Sequence, residues 1–173
     1  MVTVASYRGN RLTVEVPSAP REFQSRYEKA VPPLPDDQIT ALAQHNAPWG
    51  EMLDLIDSVA PYGFLIYHKI DADPLMSLAG DNAVCISYLM GNHTIAERMF
   101  RYEPSVLLYA PLHTAIWGAP QGPGYLSFDR PSDQFGSFAR PEVTTVGVEL
   151  DRKMAALLDH LGVEVPDALL TTR

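Results

Sequence analysis

The stretch from Tyr88 to Asp133 constrains the fold more strongly than any other part of the chain. It carries the end of an apolar strand, a short helix at 94–101, a strand at 106–117 and a returning strand at 125–128. The last two strands are joined by a short loop rich in Gly and Pro, which is typical of an antiparallel hairpin. This stretch therefore predicts an antiparallel sheet with a helix inserted between its strands.

The flanking sequence adds further strands and helices. Strands are predicted at 2–8, 12–16, 63–70 and 83–90. Helices are predicted at 20–30, from Asp36 or Asp37 onward, at 49–60, and from Thr144 or Thr145 to a cap at Gly162, with a loop at 130–142. The order of strands, helix, several strands and helix predicts an α+β fold, in which an antiparallel sheet carries its helices on one face.

Length and composition favour one domain. The chain has 173 residues, of which 46% are hydrophobic and 20% charged, so it can bury a sizeable core. We therefore predict a single domain over residues 1–173. Prolines and helical patterns mark a helical insertion at about 32–61, which could cover a cavity, and the tail after residue 166 is predicted to be frayed.

Charge excludes several classes of partner. The formal net charge is −8 and the basic residues are scattered, which argues against binding to nucleic acids or anionic membrane surfaces. No apolar run approaches the roughly 20 residues that span a bilayer, and the first residues do not resemble an export signal. The single cysteine, Cys85, cannot form an internal disulfide, so a cytoplasmic location is expected.

His68 and Asp71 form the first candidate site, at the end of a predicted strand. An imidazole beside a carboxylate is the usual arrangement of a general base, because the carboxylate fixes the tautomer of the ring. The alternative is structural, since Asp73-Pro74 is also typical of the start of a helix.

His93 and Glu97 form the second candidate site. They are four residues apart on a predicted helix, so both side chains can face one point and take part in acid–base chemistry. Two ligands are too few for a zinc or iron site, and neither an HExxH pattern nor a cysteine pair occurs. A capped helix, with Asn92 or Thr94 as the N-cap and Glu97 as its partner, would explain the same residues. No cofactor or metal is predicted.

His113 and Asp129 are the remaining candidates for acid–base catalysis. His113 shares one strand face with Tyr109 and Trp117, so that face could line an aromatic pocket, to which Tyr67 would also contribute. A lone histidine on such a face is more often a hydrogen-bonded structural residue. Asp129 ends a strand, but the residues after it are also typical of a turn.

The order of landmarks from about Gly63 onward resembles the domain-of-unknown-function 302 family. The matching segments are Phe64-Leu65-Ile66-Tyr67-His68-Lys69-Ile70-Asp71, Gly91-Asn92, Ala110-Pro111-Leu112, Phe128-Asp129-Arg130-Pro131-Ser132 and Leu150-Asp151. The resemblance implies a β-α-β type of fold with a curved antiparallel sheet, often found as a dimer. The activity of this family is generally unassigned. The longer segment from Pro32 to Pro61 departs from the family pattern.

Two functions remain open at this point. The first is a small-molecule-binding protein, which could be a cofactor-independent isomerase, cyclase or lyase with a pocket between sheet and helices. The second is a non-catalytic homodimeric module in which histidines and aromatic residues serve packing. Convergence of two or more of the six acid–base candidates on one concave pocket would favour the first.

Overall fold

Five strands pair into one antiparallel sheet in the computed structural model, which describes residues 2–171. The strands are β1 (Arg11–Val16), β2 (Leu65–Asp71), β3 (Val84–Gly91), β4 (Leu112–Gly118) and β5 (Gly124–Asp129). They lie in the order β1-β5-β4-β3-β2, and every neighbouring pair is antiparallel. β2 to β5 therefore form a meander, and β1 adds to its far edge beside β5.

Helices complete the α+β fold, as predicted. They are α1 (Pro20–Ala30), α2 (Asp36–Gln44), α3 (Trp49–Val59), α4 (Asp73–Met76), α5 (His93–Phe100), α6 (Pro131–Gly136) and α7 (Pro141–His160). Short 3₁₀ helices lie at Ser77–Ala79, Pro104–Leu108 and Asp167–Leu169. Because β1 and β2 lie at opposite edges, the chain must cross the sheet between them, and α1 makes this crossing against β3, β4 and β5.

The core lies between the sheet and its helices. Alternate residues of β3 are buried, as the period of a strand with one covered face requires. The long helix α7 contributes an apolar stripe that includes Leu150, Met154 and Leu157. The hydroxyl of buried Tyr27 makes a hydrogen bond of 3.0 Å with Thr114 Oγ1, so this polar pair within the core is satisfied.

The segment predicted as a helical insertion packs through a small cluster of its own. Ile56, Ala60 and Leu65 are buried together there. Leu34, Ile39, Met52, Val59 and Tyr67 pack against them. Backbone hydrogen bonds also tie the segment to β2, from Leu34 N–H to Ile66 O at 2.9 Å and from Ile66 N–H to Pro32 O at 2.8 Å. The hairpin of α2 and α3 is therefore fixed to the β2 edge.

The two ends of the chain differ from the sequence predictions. Residues 2–8 form no strand, because the edge strand β1 begins only at Arg11 and pairs with β5 alone. The tail that was predicted to be frayed after residue 166 instead forms a 3₁₀ helix, and its Leu169 is 2% exposed. This apolar side chain joins the main core and holds the tail in place.

Prolines account for the other differences. The strand predicted at 106–117 begins only at Leu112, because Pro104 starts a 3₁₀ helix whose cap, Glu103, accepts a hydrogen bond from Ser105 N–H. The loop predicted at 130–142 contains α6, with Pro131 at its first position. The last helix likewise begins at Pro141 rather than at Thr144 or Thr145.

Candidate functional site

An apolar cavity of about 320 Å³ lies between the β3–β4 end of the sheet and the helices α5, α6 and α7. The helices contribute Ile95, Ala96, Met99, Phe135 and Leu150 to its wall. Phe64 and Leu112 line it from the chain before β2 and from the start of β4. None of the described lining residues is Asp, Glu, Lys or Arg, so the wall offers no formal charge when its histidine is neutral.

The two residues at the junction of β3 and α5, Gly91 and Asn92, explain why the cavity wall forms there. Asn92 ends the strand and caps the helix, because its Oδ1 accepts hydrogen bonds from Thr94 N–H at 2.9 Å and from Ile95 N–H at 3.3 Å. Gly91 allows the neighbouring chains to approach closely. A Cβ at this position would lie 3.3 Å from Pro111 Cβ and 3.4 Å from Tyr67 Cε2.

Tyr67 and His93 supply the polar part of the cavity wall. The Tyr67 hydroxyl and His93 Nδ1 are 2.8 Å apart, and the ring centroids are 4.9 Å apart. A bulge between Ile66 and His68 interrupts the β2–β3 register and places Tyr67 beside the helix that begins at His93. The two candidate residues, predicted separately, therefore meet at one point.

Burial keeps both members of this pair uncharged near neutral pH. Burial lowers the pKa of His93 below the 6.5 of a free histidine, although the carboxylate of Asp36 partly opposes it. Burial raises the pKa of Tyr67 above its usual value, and the negative charge of Asp36 adds to that shift. A neutral imidazole in contact with a neutral phenol can donate or accept a proton at the wall of an apolar cavity.

His68 and Asp71 do not come together. His68 lies opposite Leu89 and is exposed, whereas Asp71 is on the α1 side of the sheet. There its carboxylate accepts hydrogen bonds from Arg21 Nη1 at 2.6 Å and Nη2 at 2.9 Å. Asp71 therefore ties β2 to α1, and this explains its position without a catalytic role.

Glu97 does not share a site with His93 either. Its carboxylate accepts a hydrogen bond of 2.7 Å from Arg101 Nη2, one helical turn further along α5. Asn92 is the N-cap of the helix, so the N3 position is Ile95 and Glu97 lies too far along the helix to complete a capping box; its carboxylate pairs with Arg101 instead. Glu97 thus belongs to an exposed ion pair of the type common on helices.

His113 and Asp129 line a second, shallower depression of about 460 Å³ on the open face of the sheet, opposite the helices. His113 Nε2 is hydrogen-bonded to Ser87 Oγ at 3.0 Å, and Asp129 accepts from Arg11 Nε at 3.1 Å. Trp117 lies on the same face and donates to Ser127 Oγ at 2.9 Å. These polar groups satisfy one another across the strands.

Tyr109 lies apart from that face because it precedes β4 rather than belonging to it. Its hydroxyl makes a hydrogen bond of 2.7 Å with Tyr7, and its ring contacts Phe138 edge-on. Within residues 2–171, no three His, Cys, Asp or Glu side chains come together as a metal site requires. No helix in this part of the chain is long and apolar enough to cross a membrane.

Most of the cavity wall could not be predicted from the sequence. Phe135 and Leu150 come from α6 and α7, far from His93 along the chain, and no local pattern marks them as its neighbours. A usable signal was present in α5, where Ile95 and Met99 form an apolar stripe beginning two residues after His93. That stripe places the helix, and with it His93, against an apolar surface.

Comparisons with known proteins agree on one family. A family model described as "Domain of unknown function DUF302" matches residues 49–161, which begins earlier than the resemblance from about Gly63. A crystal structure of an uncharacterized conserved DUF302 protein from Bacillus stearothermophilus has a TM-score of 0.62 and 16% identity, covering 87% of this chain and 97% of that chain. At that identity the likeness shows the fold alone. Among curated proteins, none matches this sequence. Since the family model covers more than half of the chain, the protein belongs to the DUF302 family.

Proposed function

We propose that this DUF302 protein binds a small molecule in the apolar cavity and transfers a proton to or from it through His93. One observation carries the proposal: a neutral histidine, hydrogen-bonded to a half-buried phenol, lies in the wall of a cavity that is otherwise almost entirely apolar. Apolar cavities with a few convergent polar groups are the usual form of small-molecule sites. A titratable pair in such a place is typical of acid–base chemistry.

The pair can act in two directions. When the Tyr67 hydroxyl donates to His93 Nδ1, the ring proton lies on Nε2, which can then donate to an oxygen atom of the ligand. When Nδ1 instead donates to the phenol oxygen, Nε2 carries the lone pair and can accept a proton from carbon or oxygen. Either form suits an isomerase, cyclase or lyase that uses no cofactor.

Native mass spectrometry of the purified protein, with a denatured control, tests the binding part of this proposal. We expect additional mass that is lost on denaturation. Ala96→Trp, which fills the cavity, should remove that mass, whereas Ala43→Trp on the exposed surface of α2 should not. Additional mass that survives Ala96→Trp in a folded protein would show that the molecule binds elsewhere.

The proton-transfer part needs a separate test. Once a bound molecule is identified, its turnover or its exchange with solvent deuterium should fall at least about 100-fold in His93→Gln, the range typical of a removed acid or base. The matched control is His113→Gln, which changes a histidine on the open sheet face. Equal rates in both variants would rule out His93 as the group that transfers the proton.

A homodimer formed through the open face of the sheet is a second proposal, supported by the residues of that face. On β3 and β4 the outward side chains include Cys85, Ser87, Leu89, Ala115 and Trp117, none of which carries a formal charge. Charged residues lie toward the β1 edge, among them Arg11, Glu15 and Asp129. An uncharged centre with a charged rim is typical of a protein interface.

Light scattering on a sizing column tests the dimer. We expect the unchanged protein to have twice the 19.1 kDa mass of one chain. Ala115→Arg places a charge at the centre of the face, so this variant should have the mass of one chain. Ala43→Arg, on the exposed surface of α2, is the matched control and should leave the dimer intact. A single-chain mass for the unchanged protein at high concentration would refute this second proposal.

A further inference from the structure

We propose that the ligand of the cavity is a neutral, predominantly apolar molecule with one hydroxyl or carbonyl group, and that carboxylates, phosphates and ammonium compounds are excluded. This inference rests on the proposed function, because it names the class of molecule that the same cavity would bind. Three features of the cavity support it: the polar groups of the wall, the hydrogen bonds at the nearby helix terminus and the volume.

Among its side chains, the wall offers one polar pair to a ligand. Of the polar side chains that line it, Asn92 is already engaged, because its Oδ1 accepts from α5 and its Nδ2 donates to Gly63 O at 3.1 Å. The pair of Tyr67 and His93 remains. A ligand that fits this wall therefore places one hydrogen-bonding group there and apolar surface everywhere else.

An anion finds no partner in this cavity. The described wall contains neither Lys nor Arg. The N-terminus of α5 would be the natural place for a carboxylate or phosphate, because backbone N–H groups converge there. Most of its amide protons are already taken, since Thr94 N–H and Ile95 N–H donate to Asn92 Oδ1 and Ala96 N–H donates to Asn92 O, which leaves only the N–H of His93. An anionic ligand would therefore exchange its hydration for at most one backbone N–H and no cationic side chain.

An ammonium ligand is disfavoured for the corresponding reason. No Asp or Glu is among the described lining residues, so a buried positive charge would have no carboxylate to pair with. Phe64 and Phe135 present aromatic carbon, but most of the wall is aliphatic. A neutral ligand avoids this desolvation cost and keeps the apolar contacts.

The volume limits the size of the ligand. An engineered apolar cavity of roughly 150 Å³ holds one benzene molecule. The cavity of this protein, at about 320 Å³, has about twice that room. It therefore suits a bicyclic ring system or an aliphatic molecule of similar bulk.

Four probes with the same bicyclic skeleton test the inference. They are 2-naphthylmethanol, naphthalene, 2-naphthoate and 2-naphthylmethylammonium, each titrated into the full chain near neutral pH and followed by two-dimensional NMR of the backbone amides. We expect 2-naphthylmethanol to shift the amides of α5 and to bind at least about tenfold more tightly than either charged probe. It should also bind more tightly than naphthalene, and this advantage should disappear in His93→Phe.

The possible outcomes distinguish a wrong ligand class from a wrong proposed function. If either charged probe binds as tightly as the alcohol and the cavity-filling variant Ala96→Trp abolishes that binding, the ligand class is overturned while binding in the cavity stands. If no probe shifts the lining residues, the cavity is not a binding site, and both the proposed function and this inference are overturned. Ala96→Leu is a milder cavity-filling variant and serves should Ala96→Trp fail to fold.

Discussion

The buried ion pair of Arg130 and Asp151 gives the sharpest prediction for stability. Arg130 is 3% exposed and Asp151 is 1% exposed, and Arg130 Nε donates to Asp151 Oδ2 at 2.9 Å. The other carboxylate oxygen accepts from Ser132 N–H at 2.9 Å, which fixes the first turn of α6 to α7. Arg130 also donates to Thr171 O at 2.7 Å, so the pair holds the end of the described chain as well.

Asp151→Asn keeps the shape of the side chain but removes its charge. The amide group would place an N–H donor against either Arg130 Nε–H or Ser132 N–H, and the buried guanidinium would keep only the more distant carboxylate of Asp133, whose Oδ1 is 3.7 Å from Nη1. Breaking a buried pair by removing one partner costs about 3–5 kcal/mol. This is a large part of the roughly 5–15 kcal/mol that stabilises a domain. We expect the melting temperature to fall by roughly 6–20 °C.

Urea unfolding with a matched control measures this effect. Asp129→Asn removes one carboxylate from the exposed pair with Arg11, whose side chains are 73% and 41% exposed, and should cost at most about 1 kcal/mol. The reasoning fails if Asp151→Asn costs less than about 1 kcal/mol, or no more than the control. Because α6 carries Phe135, the NMR signals of the cavity wall should also shift in Asp151→Asn and stay unchanged in Asp129→Asn.

Further predictions concern the cavity and its surroundings. Because burial lowers the pKa of His93, the unfolded chain binds a proton at a higher pH than the folded chain does, so the free energy of unfolding should fall as the pH drops below 6.5. The urea midpoint should therefore fall with pH in the unchanged protein and fall less in His93→Gln. Gly91→Ala should cost about 1 kcal/mol, because its Cβ would lie 3.3 Å from Pro111 Cβ, and should displace the NMR signals of the Tyr67 ring. Asp71→Asn breaks a partly exposed pair with Arg21 and should change the urea midpoint by no more than about 1 kcal/mol of stability.

Much of the fold could be predicted because its elements carry local signals. The alternation in β3 and the apolar stripe of α7 identify a strand with one covered face and a helix packed on a core. The failures occurred where local signals compete. The valines near the N-terminus alternate as in a strand, but a strand forms only where a partner is available, and β5 already pairs with β1 beginning at Arg11. Pro131 was read as part of a loop, although proline is also favoured at the first position of a helix.

The site was harder to predict because side-chain direction depends on register. The spacing of four residues correctly placed His93 and Glu97 on the same helix, but Arg101 lies one further turn along and binds the carboxylate. In β2, the bulge at Ile66 and His68 shifts the alternation, so Tyr67 reaches α5 while His68 faces the open side. A bulge leaves little trace in a sequence, and for this reason the contact that matters most could not be predicted from spacing.

The segment 32–61 contributes to the candidate site without lining the cavity. Tyr67 packs on one side against the cluster that contains Leu34 and Ile39, and on the other side it meets His93. Both apolar residues precede residue 49, where the match to the family model begins. The part of the chain outside that match thus adds Leu34 and Ile39 to the cluster beside the phenol, while the buried residues of that cluster and the partner His93 lie inside the match. Since the position of Tyr67 decides whether its hydroxyl reaches Nδ1, the proposed acid–base role of His93 depends in part on this segment, whereas every lining residue of the apolar cavity lies in the region that the family model matches.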